Sequence, residues 1–208
     1  MNTEQSSSAF PFLEQAEQVS GLATRLVRQF VAFSPGGNFR PTVIQPASSI
    51  REEASATLEG SALAIEFDLA ESLWSVSVDP AQFRNVIKQM VQNAMEATPP
   101  ESGGKLWIIA TNERANHEKP PTLAPGDYVK ISIRDQGCGI SSEHLPRIFD
   151  PYFSTKARGS QKGMGLGLAL CDAIIRRHGG VIMVQSTPGA GAVFHIYLPA
   201  VVDQVEKQ

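Results

Sequence analysis

A chain of 208 residues with 42% hydrophobic residues has room for one ordinary domain plus an appendage, and enough apolar side chains to form a core. Its 18 basic and 21 acidic residues are interspersed and leave a net charge of −3, so we expect no nucleic-acid partner. The two cysteines, Cys138 and Cys171, form no CxxC pair, which argues against zinc and predicts free thiols.

The chain shows no sign of a membrane-spanning or secretory segment. No stretch approaches the roughly 18 consecutive apolar residues of a spanning helix. The first residues, MNTEQSSSAF, lack the charged and apolar regions of a signal peptide. We therefore expect that this segment does not insert into a membrane.

The N-terminal part predicts one amphipathic helix over residues 12–33, followed by a hinge at 34–37. Its apolar residues recur at helical spacing: Leu13, Ala16, Val19, Leu22, Leu26, Phe30 and Phe33. A helix of this kind either packs on its own domain or pairs with a second chain, and the sequence does not favour one over the other.

The next segment predicts a mixed α and β domain. A short helix is expected at 46–58 and a half-buried strand at 62–69. The clearest helix begins after Asp79, with proline at the first helical position and Gln82 at the third, as in a capping box, and runs to about Ala97. Its polar stripe comprises Gln82, Gln89, Asn93 and Glu96, beside a buried stripe.

The remaining elements predict a hairpin, a helix and a closing pair of strands. Strands are expected at 106–111 and 128–134, with a long connection over 112–126. A helix opens at 163–167 and runs to about 175, with Arg176, Arg177 and His178 in its last turn. Strands at 181–186 and 192–198 follow, joined by a turn at 187–191.

Two glycine-bearing segments and one asparagine can carry chemistry. The glycines of 163–168 open a helix, where unpaired backbone N–H groups and the helix dipole attract phosphate oxygens. Asp135, in the segment 135–140, can accept a hydrogen bond from an exocyclic amine and so select adenine. Asn93 offers a neutral oxygen to a hard cation. Taken singly, Asp135 and its glycines are an ordinary turn and Asn93 a solvated amide.

Together these segments resemble the N, G1, F and G2 boxes of sensor histidine kinases. They occur in that order as Asn93, Asp135-x-Gly137-x-Gly139, FDPYFSTK at 149–156 and GMGLGL at 163–168, and the resemblance extends from about residue 40 to 199. It implies an α+β fold, a two-layer α/β sandwich with helices on one face of a mixed, largely antiparallel sheet. The same fold occurs in DNA gyrase, mismatch-repair ATPases and heat-shock chaperones.

The resemblance also implies roles for individual residues. Asn93 is the magnesium ligand, catalytic together with Lys156, and Asp135 is the adenine anchor. Phe149 and Phe153 anchor a lid, although a role as core aromatics is equally compatible with them. The other nucleotide-binding residues are expected in three groups, namely Gly137, Gly139 and Ile140 at the base, Thr155, Lys156 and Lys162 on the lid, and Gly163, Gly165, Leu166, Gly167 and Leu168 at the phosphates.

The function implied is that of an ATP-binding catalytic domain, with ATP and Mg²⁺ as cofactors, that passes the γ-phosphoryl group to a histidine absent from this chain. Residues 1–37 are expected to be the remnant of a second dimerisation helix with its hinge, 38–201 the catalytic domain and 202–208 a tail. Expected partners are a histidine-bearing dimerisation domain, a response regulator receiver domain and a second copy in the full-length protein. A cytoplasmic location follows, alone or as part of a membrane-anchored sensor.

None of the four histidines suits the acceptor role. His117 is followed by prolines that exclude a helix. His144, His178 and His195 are expected to be a loop residue, a helix C-terminal cation and a strand residue.

Two positions depart from the family pattern. Gln89 replaces the glutamate that serves as general base in the ATP-hydrolysing relatives, and an amide cannot take a proton from water. Ala192 stands where a threonine or serine often helps to hold adenine. Alternative functions are an ATP-driven machine of the chaperone type, a binding module without catalysis, and a serine kinase of the anti-sigma type.

Overall fold

The computed structural model describes residues 12–13, 39–99, 103–116, 123–155 and 165–201. The chain divides into two units, residues 1–39 and 40–208. In the first unit Phe12 and Leu13 are helical, and the rest of the helix predicted for 12–33 lies outside the described residues, as do the hinge and the tail at 202–208.

The second unit alternates strands and helices. In chain order its elements are β1 (Thr42–Ile44), α1 (Pro46–Leu58), β2 (Ala64–Leu69), β3 (Ser75–Val78), α2 (Pro80–Ala97), β4 (Lys105–Ala115), β5 (Gly126–Arg134), α3 (Gly167–Arg177), β6 (Val181–Ser186) and β7 (Ala192–Val201). A 3₁₀ turn, Leu145–Arg147, lies between β5 and α3.

The strands form one seven-stranded sheet in the order β1-β3-β7-β5-β4-β2, with β6 also paired to β7. Among the pairs described, β2 with β4 is parallel and the others are antiparallel. The long strand β7 pairs with β6 along its first part and with β3 at its end, through Ala200 and Val201. The predicted mixed, largely antiparallel sheet is confirmed.

The core lies between one face of this sheet and the three helices. The register places Val129 opposite Leu198 and Ile131 opposite Ile196, so alternate residues of β5 and β7 point to the same face. These side chains join those of α2, including the fully buried Phe83, in one apolar cluster. The predicted two-layer sandwich is therefore also confirmed.

The opposite face of the sheet carries a smaller apolar cluster and polar pairs. Tyr128 and Tyr197 pack together with Ala115 and Leu123. Lys130 on the same face lies 3.1 Å from Glu113 and 5.5 Å from the ring centre of Tyr197. On this face the charged side chain of Lys130 thus contacts both a carboxylate and an aromatic ring.

The start of α2 follows the sequence prediction with one difference. Asp79 accepts hydrogen bonds from the backbone N–H groups of Ala81 and Gln82, at 3.1 and 3.2 Å, and Pro80 is the first helical residue. The capping box would use the Gln82 side chain to accept from the N–H of Asp79. Instead that N–H donates to Nε2 of His178, at 2.9 Å.

The expectation that His178 is a cation is wrong, because both of its ring nitrogens are hydrogen-bonded as in a neutral imidazole. Its Nε2 accepts a hydrogen bond from Asp79, while Nδ1 lies 2.7 Å from the carbonyl oxygen of Ile174 and can donate to it. A ring that accepts at one nitrogen and donates at the other is neutral. Burial lowers the pKa of His178 further. The residue therefore joins the end of α3 to the start of α2.

The long connection predicted at 112–126 is also wrong at both ends. Strand β4 continues to Ala115 and β5 already begins at Gly126. Most of the extra residues are polar, and their side chains find partners: Asn112 bonds the backbone at Ser72 and Trp74, and Arg114 pairs with Asp127. Cross-strand pairing supports a strand there without apolar alternation.

Two short strands were not predicted. β1 has three residues and β3 has four, and they pair with each other at one edge of the sheet. Separately, none of the described helices is both long and apolar enough to span a bilayer.

Candidate functional site

Asp135 lies directly after β5 and is almost fully buried, with 4% of its surface exposed. Its Oδ1 accepts hydrogen bonds from the backbone N–H groups of Gly137, at 2.8 Å, and Ala192, at 3.2 Å. Among the described residues no donor reaches the other oxygen, Oδ2. Burial raises the pKa of Asp135, and the two N–H bonds oppose that rise. One oxygen is thus fixed by the protein while the second is left as an acceptor.

The segment that follows, residues 135–140, is called the base loop below. It rests on the end of α2: the N–H of Cys138 donates to the carbonyl oxygen of Ala97 at 3.0 Å. A Cβ on Gly137 would lie 2.5 Å from that same oxygen. Only glycine allows the two backbones to approach this closely. Close packing, and not flexibility, therefore explains why residue 137 is a glycine.

The base loop also contacts the turn between β6 and β7, residues 187–191. Gly139 has φ +69°, and a Cβ there would overlap the carbonyl oxygen of Thr187. The N–H of Ile140 donates to the hydroxyl of Ser186 at 2.8 Å, and that hydroxyl donates to the carbonyl oxygen of Gly191 at 2.7 Å. The side chain of Ile140 packs against the main core.

Asn93 lies in the last two turns of α2, partly buried. Its Nδ2 is buried and has no hydrogen-bond partner among the described residues. One turn earlier, the side chain of Gln89 donates to Gln92 at 3.0 Å. The oxygen of Gln89 would lie 2.8 Å from a Cβ on Gly167. The helix that carries Asn93 therefore contacts the first residue of α3.

The start of α3 is packed against the segment at 149–155. The N–H of Tyr152 donates to the carbonyl oxygen of Gly165 at 2.9 Å, and a Cβ on Gly165 would overlap the backbone of Phe153. Phe149 and Phe153 are partly buried against the main core, as their interpretation as core aromatics requires.

Other predicted residues flank this contact. Leu166 is buried directly before α3, Leu168 packs partly against the core, and Thr155 is exposed. Lys156, Lys162 and Gly163 lie outside the described residues. The structure thus brings Asn93, the base loop and residues 165–168 to one side of the sheet, and their contacts with nucleotide stay predictions.

Sequence reasoning missed two groups that build this site. The backbone N–H of Ala192 holds Asp135, yet a main-chain donor leaves no trace in the residue type. The hydroxyl of Ser186 connects the base loop with the following turn. A serine next to a glycine-rich turn is so common that its position alone carried no signal.

The two-layer sandwich and the order of its glycine-bearing loops define a domain of an ATPase type in which helices cover a mixed sheet. Residues 78–202 match the family model described as histidine kinase-, DNA gyrase B- and HSP90-like ATPase. Since this match covers more than half of the chain, the protein belongs to that family.

Curated relatives are sensor kinases. The chain is 33% identical to sensor kinase CckA of Brucella abortus (strain 2308) over 208 aligned positions, 98% of this chain and 22% of that protein. It is 35% identical to sensor histidine kinase ZraS of Klebsiella oxytoca over 147 positions, 71% of this chain and 28% of that protein. The chain therefore spans about a quarter of the length of these relatives.

Solved structures share the fold. The nucleotide-free catalytic domain of histidine kinase ThkA is 28% identical with a TM-score of 0.61, covering 77% of this chain and 96% of that one. Full-length ShkA in complex with AMPPNP has a TM-score of 0.71 over 98% of this chain and 40% of that one. At 20% identity, the second comparison supports the fold alone.

Proposed function

We propose that this chain is the ATP-binding catalytic domain of a two-component sensor histidine kinase, a protein-histidine kinase that acts on a histidine of another segment. The observation that carries the proposal is the state of Asp135. Its buried carboxylate is held by two backbone N–H groups on one oxygen and has no described donor on the other. A buried carboxylate with one oxygen left unbonded suits a ligand that donates a hydrogen bond to it.

The exocyclic amine of adenine is such a donor. Guanine presents a carbonyl oxygen at the corresponding position, and two acceptors would then face each other across a buried contact. Glycines at 137 and 139 let the base loop pack closely on the backbones of Ala97 and Thr187, which fixes the carboxylate in front of the base. Asp135 therefore selects adenine, and Ile140 lines the base end of the site.

The phosphates are assigned to the start of α3. The first backbone N–H groups of a helix have no partner within the helix, and the dipole favours anions there. Gly165, Leu166, Gly167 and Leu168 place that helix start beside α2. Gly163, Thr155, Lys156 and Lys162 are proposed to complete the phosphate site from the adjoining lid segment.

Asn93 is proposed as the Mg²⁺ ligand. Its amide has a buried nitrogen without a described partner, so the side chain is not committed to the fold and can present its oxygen. A single amide oxygen suits an ion that takes most of its other oxygens from phosphates and water. When bound, the ion neutralises charge on the phosphates.

The acceptor is proposed to be a histidine on a dimerisation domain, with a response regulator next in line and a homodimer as the full-length state. Residues 1–37 would be the end of that dimerisation domain, 38–201 the catalytic domain and 202–208 a tail. Among the described residues no histidine lies within a helix, His117 is followed by prolines that exclude one, and Gln89 offers no carboxylate to activate water. Catalysis rests on orienting the γ-phosphoryl group toward its acceptor. A cytoplasmic location is part of this proposal.

The proposal is tested in two steps. Titration calorimetry with ATP should show binding that is stronger with Mg²⁺ than with a chelator. Labelled ATP, incubated with the chain and a histidine-bearing dimerisation domain, should then label that domain and leave the chain unlabelled. Absence of Mg²⁺-dependent binding at millimolar ATP contradicts the site, whereas binding without any transfer reduces the protein to a nucleotide-binding module.

A further inference from the structure

Ser186, the last residue of β6, joins two separate turns with one hydroxyl. It accepts a hydrogen bond from the N–H of Ile140 at 2.8 Å and donates one to the carbonyl oxygen of Gly191 at 2.7 Å. Ile140 ends the base loop, and Gly191 ends the turn between β6 and β7. Within the described part of the chain, Ser186 supplies the one hydroxyl that bonds both.

The base loop and the turn at 187–191 are also in direct backbone contact. The N–H of Gly189 donates to the carbonyl oxygen of Cys138 at 2.8 Å. A Cβ on Gly191 would overlap the carbonyl oxygen of Asp135. These are contacts between backbones, so they depend on the relative position of the two turns. The hydroxyl of Ser186 fixes that position because it hydrogen-bonds to both turns.

The position of the Asp135 carboxylate depends on the same contact between the two turns. Its Oδ1 is held by the N–H of Ala192, and Ala192 directly follows Gly191. A shift of Gly191 therefore moves a donor to the carboxylate, and a shift of Ile140 moves the other end of the base loop. Ser186 constrains both residues.

We propose that Ser186 is a positioning residue for adenine selection, which acts through Ile140 and Gly191 on the carboxylate of Asp135. This inference rests on the proposed function. The described partners of the hydroxyl use its hydrogen and one lone pair, so its role is to hold protein groups in place. Its loss should change how well the site distinguishes bases, while the phosphate end at residues 165–168 keeps its geometry.

The experiment uses the full 208-residue chain and titration calorimetry with ATP and with GTP, both with Mg²⁺. Ser186→Ala leaves the N–H of Ile140 and the oxygen of Gly191 without this partner, so ATP affinity should fall about tenfold. GTP affinity should change little, so the ATP to GTP ratio falls by about the same factor. Ser186→Thr retains the hydroxyl and should restore most of the ratio.

Ser132→Ala is the matched control. It removes a buried hydroxyl that lies 2.8 Å from Nδ1 of His195, on the face of the sheet away from the helices, and should leave the ratio unchanged. If Ser186→Ala does not fold, Ser186→Cys, which keeps the volume but bonds weakly, provides the same comparison.

Two results overturn the inference. A folded Ser186→Ala or Ser186→Cys variant with an unchanged ratio shows that the hydroxyl does not set base selection. An equal loss for ATP and GTP, matched by Ser132→Ala, shows a general structural effect. If the wild-type chain binds no ATP, the proposed function fails as well, so the two failures are distinguishable by the wild-type titration.

Discussion

The carboxylate of Asp135 accepts a hydrogen bond of 3.2 Å from the backbone N–H of Ala192, 57 residues further along the chain. The sequence departs from its family at Ala192, where a hydroxyl side chain is common. The missing hydroxyl does not release the carboxylate, because the main chain of the same residue holds it. The carboxylate and its support therefore come from distant segments, the residue after β5 and the first residue of β7.

Asp135→Asn should weaken ATP binding without unfolding the domain. The amide oxygen can still accept from Gly137 and Ala192, while the amide nitrogen turns a donor toward the donor on adenine. Loss of a hydrogen bond to a charged group costs about 1.5–3 kcal/mol, so the dissociation constant should rise roughly tenfold to a hundredfold. Titration calorimetry measures this change.

The melting temperature of the same variant should not fall, because burial already disfavours the charge of Asp135. Asp68→Asn, at an exposed carboxylate on β2, is the matched control for charge removal. Equal ATP affinity of Asp135→Asn and the wild type would exclude this residue as the anchor.

ATP binding should weaken as the pH falls through the raised pKa of Asp135. Burial places this pKa above that of an ordinary aspartate, about 3.9, so the acceptor is lost at a higher pH than for an exposed carboxylate. Calorimetric titrations at a series of acidic pH values check this. Asp135→Asn has no proton to gain there, so the difference between the two profiles isolates Asp135 from titration of the nucleotide itself.

Gly137→Ala should destabilise the domain by about 1–3 kcal/mol, since the new Cβ would lie 2.5 Å from the carbonyl oxygen of Ala97 and the base loop must move away. Denaturant unfolding followed by circular dichroism measures the change. Gly126→Ala is the control, because its Cβ meets nothing closer than 3.5 Å. Equal stability of the two variants would mean that the base loop does not rest on α2.

The folded domain should lose stability as the pH falls below about 6.5, the ordinary pKa of histidine. Burial lowers the pKa of His178 in the folded state, so between the two pKa values the unfolded chain binds a proton that the folded chain excludes. The contribution of neutral His178 to the free energy of unfolding is complete above the pKa of the unfolded chain. It declines as the pH falls toward the pKa of the folded chain, by about 1.4 kcal/mol for each unit between the two values.

His178→Gln retains an acceptor for Asp79 and cannot be protonated, so part of the acid sensitivity should disappear in denaturant titrations at pH 5 to 8. His195, whose pKa is lowered by burial and by Lys130, accounts for a further part and is unchanged in this variant. Identical pH profiles for the variant and the wild type would contradict the neutral state of His178.

Gln89→Glu should increase slow ATP hydrolysis by about tenfold or more, because a carboxylate in this place can act as a general base, an effect typically of about 10²–10⁴-fold. Phosphate release from labelled ATP is the measurement. Gln92→Glu adds the same charge on the same helix, three residues away, and should not have this effect. Brisk hydrolysis by the wild type, abolished in Asn93→Ala, would instead indicate a chaperone-type ATPase.

The helices and the central strands could be predicted because their signals are local. Asp79 and Pro80 mark the start of α2, and apolar residues at helical spacing follow. Strands β1 and β3 are too short for a periodic pattern, and the ends of β4 and β5 carry polar residues whose pairing appears only across the sheet. Periodicity in the sequence reports burial, whereas these residues form strands because they pair with neighbouring strands.

The site divides in the same way. Residues proposed to act through their own side chains, such as Asp135 and Asn93, stand out by type and order along the chain. The links between distant segments do not: the bond from Asp79 to His178 spans 99 residues, and Ser186 bonds Ile140 across 46. Such pairs follow from the topology of the sheet, which the order of local patterns does not determine.

Helix α2 contacts the base loop at Ala97 and the first residue of α3 at Gln89. These two points lie eight residues apart on one rigid helix, which corresponds to about 12 Å at 1.5 Å per residue. The distance between the loop at one end of the site and the helix start at the other is therefore built into α2. A residue inserted between Gln89 and Ala97 would turn one contact by about 100° relative to the other. In the proposed site, the span between the base and the phosphates is therefore set by the length of one helix segment.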